Sequence, residues 1–300
     1  MLQTFDNRNK DLQININGKL FHRDVAGISP FDSVVQGGDG VWEGLRLYNG
    51  RIFKLEEHLN RLRHSAQAMA FENIPSNEEL TSEISKTLQA NNMNDGVHIR
   101  LTLTRGKKIT SGMDPRLNQN GNTLIVLAEF KSPVYDTSGL SLATSSIRRF
   151  TPDTLDPKIH SCNLIQSIMA KIEANASGAD DALMLDSHGF IAETNATHLF
   201  FVKDEVVFTS RAIACPEGVT RQVVIDLCKQ NNIELRVKDC SQAELYRADE
   251  CFCTGTMGEL ACVTKVDGRI IGSGSMGPMT SRLTDLFKSL VAECGTLVNC

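Results

Sequence analysis

The sequence predicts an α/β protein of two domains, and three observations support this prediction. Its 300 residues are 41% hydrophobic and 22% charged, which is enough apolar material for more than one core. Helix-like and strand-like hydrophobic periods alternate along the chain. A polar stretch containing Ser-Pro and Asp-Thr-Ser-Gly separates two such series. We therefore expect a smaller N-terminal domain over residues 1–131, a linker over 132–139 and a larger C-terminal domain over 140–300.

In the first domain, the pattern predicts two strands, two helices and two strands. A hairpin is expected over 41–47 and 51–53, because Asn49-Gly50 is a strong signal for a tight turn. Helical spacing of leucine, alanine and methionine predicts a helix over 55–70. The other expected elements are a helix over 77–91, strands over 97–104 and 123–130, and a long polar loop between these strands.

In the second domain, strands and helices are predicted to alternate. The expected elements are a strand at 140–146, a helix at 164–177, paired strands at 182–185 and 198–202, a helix at 220–230, strands at 234–237 and 251–254, a hairpin over 263–271 that turns at Asp267-Gly268, and a C-terminal helix at 279–293.

Composition limits the classes of partner. A net charge of −5 argues against nucleic acid, because binding a polyanion needs clustered basic residues. No apolar run approaches the roughly 20 residues that span a bilayer, and the polar N-terminus carries charges of both signs, so a cytoplasmic protein without a membrane partner is expected. The nine cysteines begin at Cys162, and Cys251 and Cys253 would share one strand face, which suits buried reduced thiols better than a metal site.

Two segments of the first domain have an ordinary interpretation when each is taken alone. Residues 38–44 read G-D-G-V-W-E-G, and the glycines suit a tight turn. Residues 57–62 read E-H-L-N-R-L, in which Arg61 on a helix would normally be a solvated surface charge.

Three segments of the second domain are also ambiguous one by one. Residues 217–221, E-G-V-T-R, open a helix whose N-terminus could bind a phosphate, although Thr220 could equally be a simple N-cap. Glu193 lies between apolar strand residues and a polar turn, where a lone glutamate is usually on the surface. Residues 254–259, T-G-T-M-G-E, form a turn of small residues that permits close backbone approach.

Together and in this order, these segments resemble the class IV aminotransferases that use pyridoxal 5'-phosphate (PLP). That family includes branched-chain and D-amino acid aminotransferases and aminodeoxychorismate lyase. The matching motifs are D-G-x-W/F/Y-E, E-H-x-x-R-L, G-x-x-x-E, G-[IV]-T-R and G-T-x-x-E, and they extend over nearly the whole chain. The resemblance implies PLP fold type IV, the D-amino acid aminotransferase-like fold, and a homodimer.

Carried over by position, the resemblance assigns residues to the cofactor and the substrate. Glu193 would face the pyridine nitrogen and keep it protonated, so that the ring can accept electrons. Trp42 would wall the substrate pocket. The remaining assignments are Arg61, Val219, Thr220 and Thr256 to the cofactor phosphate, and His98, Arg100 and the backbone at Thr256 and Met257 to the substrate carboxylate.

The expected Schiff-base lysine is the main departure from the family pattern. Residues 155–164 resemble D-P-R-[IV]-K-S-L-N-Y-L, and an alignment without a gap places that lysine at His160 and the preceding arginine at Lys158. In one interpretation Lys158 reaches the cofactor, because it would share a strand face with residue 160 in an extended segment. In the other, His160 marks a site that binds PLP without a covalent bond. Leu164 replaces a tyrosine that is frequent in branched-chain members, which leaves the substrate open.

The resemblance therefore favours a PLP-dependent aminotransferase that moves the amino group of a small apolar amino acid, branched-chain in the first instance, to a 2-oxo acid. The proposed catalytic residues are Lys158, His160 and Glu193. The alternative is a PLP-binding homologue with lost or altered catalysis. A third option is an aminodeoxychorismate lyase or a D-amino acid aminotransferase.

Overall fold

A computed structural model describes residues 3–135 and 139–298 of the chain, in two compact units. The first unit comprises Gln3–Ser132, Ile159–Asn163 and the described residues after 290. The second unit comprises the described residues of Pro133–Lys158 together with Leu164–Leu290. Residues 136–138 of the predicted linker lie outside the described residues.

Sixteen strands and seven helices are present in the described residues. The strands are β1 Gln13–Ile16, β2 Lys19–His22, β3 Gly40–Tyr48, β4 Arg51–Ile52, β5 Val97–Thr104, β6 Thr123–Phe130, β7 Leu140–Thr144, β8 Asp181–Leu185, β9 Ile191–Thr194, β10 His198–Lys203, β11 Val206–Thr209, β12 Leu235–Val237, β13 Glu250–Gly255, β14 Glu259–Val266, β15 Arg269–Ile270 and β16 Thr296–Leu297. The helices are α1 Ser33–Gly37, α2 Leu55–Ala68, α3 Asn77–Ala90, α4 Ile165–Ala176, α5 Val219–Gln230, α6 Gln242–Leu245 and α7 Pro278–Glu293.

The first unit is built on a seven-stranded antiparallel sheet in the order β16-β4-β3-β5-β6-β1-β2. Side chains alternate between its two faces. One face buries residues such as Val41, Leu45 and Ile99 in a core that also includes apolar residues of α2 and α3. The other face carries Trp42 and Arg100, which are polar or amphipathic. The sheet therefore separates the packing core from the face that bears the candidate substrate residues.

The second unit is built on a mixed nine-stranded sheet. Eight strands follow the order β12-β11-β10-β13-β14-β7-β8-β9, and β15 pairs with β14. The pairs β11–β12, β14–β7 and β7–β8 are parallel, and the other pairs are antiparallel. Leu183, Phe201, Cys253 and Val263 are among the residues of its main apolar core. The ends of β9 and β13 and the start of β10 lie close together in this unit.

Most predicted elements are confirmed with boundaries that differ by a few residues. The hairpin at Asn49-Gly50 forms as β3 and β4, and the two strands predicted at 97–104 and 123–130 have those bounds. The helix at 55–70 ends two residues early, at Ala68.

Two features differ from the prediction. A first hairpin, β1 and β2, turns at Asn17-Gly18 and was not predicted, although that turn has the same signal as Asn49-Gly50. The predicted pairing of 182–185 with 198–202 is wrong. The Asp186 side chain accepts hydrogen bonds from the N–H groups of His188 and Phe190, so the chain reverses at once and β8 pairs with β9 instead. β10 pairs with β11 and β13.

The cysteines in the described part of the chain are free thiols, and Cys300 lies outside it. Cys251 and Cys253 lie on β13 in the core of the second unit. Burial raises the pKa of Cys253 to about 12, so this thiol is protonated at neutral pH. No helix in residues 3–135 and 139–298 is long and apolar enough to cross a membrane.

Candidate functional site

In the first unit, a completely buried carboxylate, Glu43 on β3, is surrounded by cationic and titratable side chains from α2. Arg61 donates from Nε to Oε1 and from Nη2 to Oε2, both at 2.7 Å. His58 Nδ1 lies 2.6 Å from Oε2. Burial alone would raise the pKa of Glu43, but the charges of Arg61 and His160 and their hydrogen bonds hold it well below its usual range. Glu43 is therefore ionised, and Arg61 is part of this network and not a solvated surface charge.

His160 joins the same network from a short loop. Its Nδ1 lies 2.6 Å from the carbonyl oxygen of Trp42 and 3.4 Å from Oε1 of Glu43. Its ring stacks on the Trp42 indole with the ring centroids 4.5 Å apart. Its backbone N–H donates to Ser65 Oγ at 3.0 Å. The pKa of His160 is lowered by burial, and the nearby Glu43 charge only partly opposes this effect, so the imidazole is neutral at pH 7.

Lys158 occupies a different environment. Its side chain is exposed, and the residue lies in a turn in which its backbone N–H donates to Asp156 Oδ1 at 3.0 Å. The segment is therefore not extended, and the prediction that Lys158 and His160 share a strand face is wrong. Lys158 belongs to the second unit and His160 to the first.

A polar face of the first sheet carries His98 and Arg100 on β5 and, opposite His98 on β3, Arg46. The Arg100 guanidinium lies 4.0 Å from the centroid of the Trp42 ring. Arg46 and His98 are both buried, and Arg46 Nε and Nη1 and His98 Nε2 have no hydrogen-bond partner among the described residues. Arg46 was missed from the sequence, although the period of two on β3 places it on the same face as Trp42.

The pKa of His98 predicts a specific loss of stability at acid pH. Burial, together with the charges of Lys131, Arg46 and Arg100, lowers the pKa of His98 to about 3. An unfolded histidine has a pKa near 6.5, so protons bind the unfolded chain better and stability falls as pH drops from 6.5 towards 3. Between pH 7 and 5, His98 is expected to account for a loss of about 2 kcal/mol. Urea unfolding at both pH values measures this loss.

The matched variants for this measurement are His98→Gln and His188→Gln. The first should reduce the difference between pH 7 and pH 5 by about that amount, because glutamine does not titrate. The second alters an exposed turn and should leave the difference unchanged. Equal pH dependence in the wild type and in His98→Gln would contradict the prediction.

In the second unit, Glu193 at the end of β9 is buried and forms an ion pair. Arg149 Nη2 lies 2.7 Å from Glu193 Oε1. Arg149 also donates to the carbonyl oxygen of Thr194 at 3.0 Å and to Ser167 Oγ at 3.1 Å, so its guanidinium is held from three sides. Sequence reasoning missed Arg149, because no local pattern links it to a carboxylate 44 residues away.

The start of α5 lies close to this carboxylate. Gly218 is the N-cap, and no side chain caps the helix, so the interpretation of Thr220 as an N-cap is wrong. The first N–H groups of a helix have no acceptor within the helix, which favours a bound anion. A Cβ on Gly218 would lie 2.2 Å from His198 Nε2, and His198 Nδ1 lies 3.9 Å from Glu193 Oε2. The His198 ring therefore lies between the carboxylate and the helix start.

The turn after β13 carries Thr256 and Met257. The Met257 carbonyl accepts a hydrogen bond from Val134 N–H at 3.0 Å, and a Cβ on Gly258 would lie 2.2 Å from the Tyr135 ring. Pairing of His198 with Thr254 places this turn next to the start of β10.

The structure thus brings the predicted residues together within each unit. The second unit contains Glu193, Val219, Thr220, Thr256 and Met257 around His198, and it also contains Lys158. The first unit contains Trp42, Arg61, His98, Arg100 and His160. No group of three His, Cys, Asp or Glu side chains in the described ranges could hold a metal ion.

Comparisons with known proteins give a consistent result. The family model described as Amino-transferase class IV matches residues 40–266. The "Branched-chain-amino-acid aminotransferase-like protein 2" of Arabidopsis thaliana is 52% identical over 93% of this chain, but the chain spans only about half of that relative, 50% of its length. The "Putative branched-chain-amino-acid aminotransferase" of Methanocaldococcus jannaschii is 37% identical and is covered over 99% of its length by 96% of this chain.

A solved structure is also similar over nearly the whole fold. The branched-chain amino acid aminotransferase of T.th., complexed with N-(5'-phosphopyridoxyl)-L-glutamate, superposes with a TM-score of 0.89 at 34% identity, and the match covers 95% of each chain.

Proposed function

Since the chain belongs to the class IV aminotransferases and has their PLP type IV fold, we propose that it binds PLP and transfers an amino group from an amino acid to a 2-oxo acid. The observation that carries this proposal is the buried Glu193, paired with Arg149, beside an uncapped helix N-terminus. The whole protein's substrate and partners belong to the same proposal.

The residues of the second unit fit the cofactor. The missing Cβ of Gly218 and the absence of a side-chain cap leave backbone N–H groups at the start of α5 for a phosphate. A buried carboxylate such as Glu193 suits a protonated pyridine nitrogen, and Arg149 orients it. When bound, PLP would supply an electron sink for the bond that breaks at the substrate α carbon.

Four residues would hold the phosphate. They are Val219, Thr220 and Thr256 in the second unit and Arg61 in the first. Glu43 fixes the plane of the Arg61 guanidinium through two hydrogen bonds, so Arg61 would present its charge in one orientation.

Substrate binding is assigned to Trp42 as the pocket wall, and to His98, Arg100 and the backbone at Thr256 and Met257 for the carboxylate. The proximity of Arg100 to Trp42 supports the pairing of an anion site with an apolar wall. The names of the similar proteins favour a branched-chain amino acid as the substrate.

The direct test is amino-group transfer by the PLP-loaded chain. We expect transfer from L-leucine to 2-oxoglutarate that is at least tenfold faster, in kcat/KM, than transfer from D-alanine, because a difference of about 1.4 kcal/mol in pocket contacts gives that ratio. Turnover of aminodeoxychorismate, assayed in parallel, would identify a lyase. Faster transfer from D-alanine than from L-leucine would contradict the branched-chain assignment.

Lys158 is the proposed lysine that would hold the cofactor covalently, because only a primary amine can form that bond. A second candidate is a protein that binds PLP without a covalent bond. It is favoured by one observation: His160 and not Lys158 contacts the buried Glu43 network.

We also propose a cytoplasmic homodimer. The dimer is supported by α4, which exposes four apolar side chains at helical spacing, and such a surface is typical of an interaction site. These side chains are Ile165, Ile168, Met169 and Ile172.

A further inference from the structure

We propose that His160 and Glu43 form an acid–base pair in which His160 Nε2 takes up and returns the substrate proton, while Lys158 only holds the cofactor; this inference rests on the proposed function. In the family that the chain resembles, one lysine performs both tasks. Here the two tasks would be divided between two residues.

The hydrogen bonds of His160 fix its tautomer. A carbonyl oxygen can only accept a hydrogen bond, so the 2.6 Å contact with the Trp42 oxygen places the hydrogen on Nδ1. The lone pair of the neutral ring then lies at Nε2. No described residue forms a hydrogen bond with Nε2, and stacking on Trp42 restricts rotation of the ring. His160 is therefore held as a base with a defined proton-accepting atom.

Glu43 is the positioning residue of the pair. Its Oε1 lies 3.4 Å from Nδ1, on the side of the ring opposite to the lone pair, so it can stabilise the imidazolium that forms when Nε2 accepts a proton. The charged or titratable groups that face this pair are Arg61 and His58, both from α2. They keep Glu43 ionised and in place, which a carboxylate without such partners would not be.

The proton balance closes over one turnover. The C–H bond at the substrate α carbon breaks, the proton goes to His160 Nε2, and the electron pair goes to the electron sink of the bound cofactor. The imidazolium then returns the proton, so His160 is restored to its starting state.

The first experiment separates holding from proton transfer. It compares His160→Asn with His188→Asn, the same change on an exposed turn. After PLP loading and borohydride reduction, peptide mass analysis should find the pyridoxyl group on Lys158 in both variants. Exchange of the α proton of L-leucine with D2O, followed by ¹H NMR, should fall at least 100-fold in His160→Asn only, because general acid–base groups contribute about 10²–10⁴.

The second experiment needs no cofactor. ¹⁵N NMR of the histidine imidazoles in the cofactor-free chain should show His160 as the Nδ1–H tautomer. Glu43→Gln should lower the His160 pKa further, because the carboxylate that favours the imidazolium is removed. Glu43→Asp should restore it in part, and Glu56→Gln on the exposed side of α2 should leave it unchanged.

The outcomes are distinguishable. Retention of α-proton exchange in His160→Asn would overturn the division of tasks and leave the proposed function intact. A wild-type chain that takes up no PLP would overturn the proposed function. An unchanged His160 pKa in Glu43→Gln would overturn the acid–base pair whatever the cofactor result.

Discussion

Replacing Lys158 with alanine is expected to remove the borohydride-stable pyridoxyl group from the chain and to reduce amino-group transfer by about 10³-fold or more. No imidazole or hydroxyl can replace a primary amine in holding PLP covalently. The Lys158 side chain is exposed, so its removal should change the free energy of unfolding by no more than about 0.5 kcal/mol. Peptide mass analysis after reduction and a steady-state assay measure the two effects.

The control is Lys229→Ala, an exposed lysine near the end of α5. It should keep both the adduct and the activity. An adduct on another lysine in the wild type would show that Lys158 is not the covalent residue. PLP that binds the wild type without any lysine adduct would favour the second candidate, a noncovalent site marked by His160.

Glu43→Ala is expected to reduce the free energy of unfolding by about 3–5 kcal/mol at pH 7. Removing one partner of a buried ion pair leaves the other charge uncompensated. Here the Arg61 guanidinium would lose two hydrogen bonds, and His58 would lose its carboxylate partner. Because the folded pKa of Glu43 lies well below that of an unfolded glutamate, near 4.3, its contribution is present above that value. The contribution is lost as pH falls through the folded pKa.

Urea unfolding of the wild type, Glu43→Ala and Glu56→Ala measures this effect. Glu56 is exposed on α2, so its replacement should cost less than about 0.5 kcal/mol. The difference between the wild type and Glu43→Ala should narrow at acid pH. A cost below about 1 kcal/mol at pH 7 would mean that the network does not stabilise the first unit.

The sequence predicted those parts of the fold that depend on local patterns. Asn-Gly turns, alternation on β5 and β6, and helical spacing on α2 each describe a few adjacent residues, and these elements are confirmed. Pairing between strands distant along the chain has no local signal. The pairing of β8 was therefore predicted wrongly, and β9 was absent from the prediction.

The candidate site shows the same division. Motif spacing identified Glu193 and the start of α5, which the structure places on either side of His198. It could not identify Arg149 as the partner of Glu193, nor the contacts of Glu43, because these contacts join residues from different elements. The prediction for Lys158 assumed an extended segment, but a backbone hydrogen bond to Asp156 makes it a turn.

The order of the elements along the chain also has a consequence for biosynthesis. The edge strand β16 pairs with β4, with Thr296 opposite Ile52, and the loop 159–163 contributes His160 to the first unit. A ribosome must therefore translate beyond residue 297 before the sheet begun by β1 can be completed. Although domains often fold in turn as they emerge, the first unit of this chain must wait for nearly all of the second. Until then its unfinished edge at β4 is open to pairing with other nascent chains, a period in which chaperones would be needed most.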